Sequence, residues 1–94
     1  MPTHKIWIDA VVIAQNGLHA RPCAALLNCV RDHDAEVWIR YKDDESAADS
    51  MLDLLSLCIP EGAIVGLCAT GADSGTALDA IVGLGLFSRT DKRP

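Results

Sequence analysis

The stretch Asn16-Gly17-Leu18-His19-Ala20-Arg21-Pro22 decides how this chain is read. Asn-Gly is a strong turn dipeptide, because both residues tolerate positive φ. Proline suits the first turn of a helix, where the N–H it lacks has no intrahelical partner in any case. The stretch therefore predicts a turn at Asn16-Gly17 and a helix starting near His19 or Ala20. Such a start sets the His19 imidazole at the helix's positive end, beside up to roughly three or four unfilled backbone N–H groups. Arg21 follows two residues later. A histidine, a helix N-terminus and an arginine together suit a phosphoryl group.

Working outward, residues 5–13 are rich in β-branched and aromatic side chains and predict a strand. Beyond the turn, Ala20, Cys23, Ala24, Leu27 and Val30 recur at helical spacing, with Arg21, Asn28 and Arg31 on the outer side. Asp32-His33-Asp34 ends that helix. Residues 36–41 alternate as a second strand, and residues 46–48 are a short third. Ser50 caps a helix over residues 51–58, and Pro60-Glu61-Gly62 breaks the chain. Residues 63–70 are the fourth strand. Asp73 caps a last helix over residues 74–86, weakened near its end by Gly83 and Gly85. Residues 88–94 are expected to be a flexible tail. The order β-α-β-β-α-β-α points to an α+β fold with helices on one face of a sheet.

Ninety-four residues make a single domain, and a chain that is 50% hydrophobic can bury a core without staples. With two Trp, one Tyr and one Phe, that core is mostly aliphatic. A formal charge of −5 argues against nucleic acid as a partner. No apolar run approaches the ~20 residues that cross a bilayer, and the first residues lead straight into a strand with no signal-peptide pattern. The four cysteines show no CxxC spacing, so buried reduced thiols and a cytoplasmic setting are expected and a metal site is not. His4 and His33 have no chemical context and are expected at the surface. Cys23 lies near a helix N-terminus, where a thiol pKa can fall; a small buried residue on the sheet is the favoured reading.

Gly17-Leu18-His19-Ala20-Arg21-Pro22 resembles the signature of the HPr family, the histidine phosphocarriers of the bacterial phosphoenolpyruvate-dependent phosphotransferase system. Asp49 to Leu57 resembles the family's serine-containing second-helix segment. Pro60-Glu61-Gly62 resembles its following turn, and Ala69 to Asp73 its entry to the last helix. The resemblance implies an open-faced β-sandwich, with four antiparallel strands and three helices on one face. It implies a monomer without a cofactor. In that role His19 is phosphorylated by phosphorylated enzyme I and passes the group to an enzyme IIA-type or regulatory acceptor. It is then a carrier with a covalent phosphohistidine, not a turnover enzyme.

The chemistry suits the residues. A neutral imidazole is a good nucleophile toward phosphorus and a good leaving group, and the positive end of a helix disfavours a cation. The incoming group brings nearly two negative charges, which Arg21 and the N–H groups around Ala20 can meet. Asn16 and Gly17 shape the loop. Ser50 matches the serine that an HPr kinase/phosphorylase modifies in some bacteria, although a capping role alone explains a serine there and Asp49 and Asp53 would repel a phosphate. Met51, Leu52 and Leu55 are the expected partner surface, with one of them buried. The outer face of the first helix carries Arg31 but also Asn28, a thinner basic ring than the family's. That leaves open the sugar-uptake branch and a regulatory, nitrogen-type branch. The alternative is a regulatory module that docks on a target without serving sugar transport.

Overall fold

In the computed structural model, which describes residues 5–90, the elements follow as β1 (Lys5–Val12), α1 (Ala20–Arg31), β2 (Glu36–Tyr41), β3 (Asp44–Ala47), α2 (Met51–Ser56), β4 (Ile64–Thr70), α3 (Ser74–Gly83) and β5 (Phe87–Arg89). The strands form one sheet in the order β3-β2-β4-β1-β5, and every neighbouring pair is antiparallel. Ile8 and Ile39 both register with Leu67, so the central strands turn these apolar side chains to one face. The helices cover that face, and Leu26, Leu27, Leu54, Leu78, Ile81 and Phe87 complete the core. The fold is the expected open-faced α+β sandwich, with five strands in place of four.

The fifth strand corrects the expectation of a tail beginning at residue 88. Phe87 registers with Val12 and Arg89 with Ala10, and the Thr90 N–H donates to the Asp9 carbonyl at 2.9 Å. The Phe87 ring is 2% exposed; burying it is worth about 1.5–3 kcal/mol. The strand also covers an edge of β1 whose backbone groups would otherwise be unpaired. The expectations for His4 and for residues 91–94 lie outside the described residues.

Three boundaries shift for backbone reasons. The last helix stops at Gly83 rather than near Leu86, because Gly85 turns to φ +83 and its N–H closes on the Val82 carbonyl. The second helix stops at Ser56 rather than Cys58, because Cys58 adopts φ +51. The third strand begins at Asp44, since the left-handed Lys42 closes a tight turn that sets Asp44 opposite Tyr41 at once.

The apolar stripe of α1 is rotated from its expected position. Pro22, Cys23, Leu26, Leu27, Cys29 and Val30 are buried, while Ala20 is exposed and Ala24 half-buried. The helix contacts α2 and α3 as well as lying over the sheet, so the larger Leu26 takes the interior. Arg21, Asn28 and Arg31 face outward as expected. On the far face of the sheet, Trp7 and Trp38 flank Cys68 in register, and Cys68 is 1% exposed. The Arg40 guanidinium lies 4.1 Å over the Trp7 ring. Both tryptophans thus stay out of the main core, which is aliphatic apart from Phe87. Cys58 is exposed and departs from the expected burial of the thiols; Cys23, Cys29 and Cys68 are buried. No helix among the described residues is long and apolar enough to cross a membrane.

Candidate functional site

The His19 loop is built from tight backbone geometry. Asn16 and Gly17 take φ of 68° and 84°, and the Gly17 N–H closes the turn on the Ala14 carbonyl at 2.9 Å. A β-carbon at Gly17 would stand 2.5 Å from the Ile59 carbonyl oxygen, so the turn needs glycine for space as well as for φ. Leu18, 4% exposed, is the loop's apolar anchor, and its N–H donates to the same Ile59 oxygen at 2.9 Å.

His19 is the N-cap of α1, with extended backbone and a side chain that makes no capping bond. Its carbonyl accepts from the Cys23 N–H at 3.0 Å, so the helix begins at Ala20. Pro22 therefore sits at the third helical position and has no N–H to give. The unfilled donors at this end are the N–H groups of Ala20 and Arg21, two rather than the three or four expected. His19 and Arg21 are exposed, and with Asn16 they line an open groove of about 470 Å³ whose other lining includes Ile13, Pro22 and Leu86. An exposed histidine and an exposed arginine thus border one groove, at a helix end that has two unfilled N–H groups.

A family model described as the PTS HPr component phosphorylation site matches residues 8–85. The chain belongs to the HPr family. It is 30% identical over 76 residues to a phosphocarrier protein HPr of Haemophilus influenzae, a match covering 81% of this chain and 89% of that one. It is 35% identical over 79 residues to a multiphosphoryl transfer protein of the same organism, covering 79% of this chain but 16% of that longer protein. The fold is similar to the crystal structure of an HPr from Bacillus anthracis, with a TM-score of 0.80 at 26% identity, covering 84% of this chain and 94% of that one.

Within this HPr fold, Ser50 is the N-cap of α2 and its hydroxyl accepts the Asp53 N–H at 3.3 Å. Of the expected partner residues, Leu52 is 78% exposed, while Met51 and Leu55 are half-buried against the core. None of the three is buried; Leu54 takes that place at 1% exposure, which corrects the expected α2 face. The flanking Asp49 and Asp53 are exposed. Asp73 holds the N-cap position of α3, but its carboxylate accepts the Asp34 N–H at 2.8 Å instead of capping the helix.

Cys23 lies near the start of α1 yet is fully buried, and burial pushes its thiol up rather than down. Its Sγ donates weakly to the Leu18 carbonyl at 3.6 Å, joining the helix to the loop. His33 is half-buried, its Nδ1 2.8 Å from the Cys29 carbonyl oxygen. No group of three or more His, Cys, Asp or Glu residues among those described could hold a metal ion. Sequence reasoning missed Glu61, whose Oε1 accepts the Asn16 N–H at 3.0 Å. Its only sequence signal was membership of a turn.

Proposed function

We propose that this chain is a cytoplasmic, monomeric phosphocarrier that takes a phosphoryl group on His19 from phosphorylated enzyme I and passes it to an enzyme IIA-type acceptor. The observation that carries this reading is the exposed His19 imidazole at the N-cap, uncommitted to capping and beside the N–H groups of Ala20 and Arg21. As a ring nitrogen bonds to phosphorus, the bond from phosphorus to the donor breaks. The Arg21 guanidinium and the two N–H groups meet the phosphoryl oxygens during arrival and departure. Family membership favours Nδ1 as the attacking atom.

Leu52 supplies the exposed apolar contact of the partner surface, with Met51 and Leu55 beside it. Asp49 and Asp53 frame it with negative charge, so a basic rim on the partner is the complement. Ser50 needs no role beyond its cap in this reading.

The test is transfer of label from phosphoenolpyruvate through purified enzyme I. The wild type is expected to acquire an acid-labile, base-stable phosphate, and His19→Ala none. A wild type that stays unlabelled with several enzyme I preparations would overturn the carrier reading and favour a docking module.

A further inference from the structure

We propose that Glu61 is a positioning residue for His19, acting by tethering the Asn16-Gly17 turn. The proposal rests on the reading of His19 as phosphoryl acceptor. The loop before His19 leans on the segment 59–62, which is itself fixed to the first strand: the Gly62 N–H donates to the Val12 carbonyl and the Val12 N–H to the Ala63 carbonyl, both at 2.8 Å. Three ties join loop and segment. The Leu18 N–H bonds the Ile59 oxygen, and Gly17 lies against Ile59 and Pro60 where no β-carbon fits. The third is the Glu61 carboxylate, which accepts the Asn16 N–H at 3.0 Å across 45 residues of sequence.

The first two ties use backbone and the absence of a side chain. Glu61 contributes the tie made by a side-chain atom, and it does so at the N-terminal end of the turn. Asn16 there holds φ 68°, a region that non-glycine residues visit sparingly. An N–H bonded to a carboxylate is roughly twice as strong as a neutral pair. His19 makes no side-chain cap, so the placing of its ring follows from the backbone that precedes it. In-line transfer needs reacting atoms within about 3–3.5 Å, and small displacements are costly in rate. Loosening the turn therefore slows transfer while leaving the acceptor in place.

The experiment compares wild type, Glu61→Ala and Glu61→Gln by two readouts: amide hydrogen exchange at Asn16, and the initial rate of label transfer from phosphoenolpyruvate through enzyme I. Glu61→Ala is expected to lose Asn16 protection by about threefold to tenfold, the net worth of an ordinary hydrogen bond open to solvent, and to slow transfer by a similar factor. Glu61→Gln, whose amide oxygen accepts the same bond without the charge, is expected to recover a substantial part of both. Asn16 protection or a transfer rate unchanged in Glu61→Ala would overturn the proposal. So would a Glu61→Gln as deficient as Glu61→Ala, which would assign the effect to charge. A wild type that takes no label would instead overturn the carrier reading, and the exchange comparison would still decide whether Glu61 holds the turn.

Discussion

At Gly17 a single methyl group separates a workable turn from a collision. The φ of 84° disfavours any other residue, and the Ile59 oxygen at 2.5 Å leaves the methyl no room. Alanine at a positive-φ position costs more than about 1 kcal/mol before any clash is counted. Gly17→Ala is thus expected to lower the urea midpoint clearly, and to slow any transfer through His19 in the protein that remains folded. The need for glycine was legible in Asn-Gly, because turn preference is a local property of φ. The second half of the requirement was not, since Ile59 lies 42 positions along the chain. Glu61 was hidden for the same reason. A glutamate after a proline reads as an ordinary turn residue until folding brings the Asn16 N–H to it.

At the scale of elements, α1 was visible from its 3.6-residue period and its Arg21-Pro22 start. Which face it would bury was not, because that depends on α2, α3 and the sheet together. The burial of two cysteines on this helix has a measurable consequence. Burial raises the Cys23 thiol, and it raises Cys29 with the Asp32 carboxylate adding to the effect. The native state therefore keeps protons that the unfolded chain releases above about pH 8.5. Their contribution is intact below that range and is lost as pH rises toward the higher native values. The urea midpoint is expected to fall as pH rises from about 8 to about 10, and to fall less steeply in the Cys23→Ala, Cys29→Ala double variant. Equal slopes in the two proteins would refute the assignment. The capping of α2 by Ser50, by contrast, was legible in full, since N-cap and N3 are three residues apart.

At the scale of the whole molecule, the β-strand at Phe87–Arg89 ties the end of the described chain to β1. Phe87→Ala removes a fully buried ring and should cost about 3–5 kcal/mol. That is a large share of the roughly 5–15 kcal/mol that holds a small domain together, so thermal unfolding should move down by tens of degrees or become non-cooperative. A shift of only a degree or two would mean that β5 does not contribute to the core. The sequence by itself determined the turn at Asn16-Gly17, the helix start at Ala20, the cap at Ser50 and the first four strands. Each depends on φ preference, spacing or alternation within a few residues. Tertiary structure alone decided the fifth strand, the face of α1, the covering of Cys68 between Trp7 and Trp38, and the seating of Asn16 on Glu61. Those depend on which distant segments become neighbours, and burial and hydrogen bonding reward such contacts only after the chain has closed on itself.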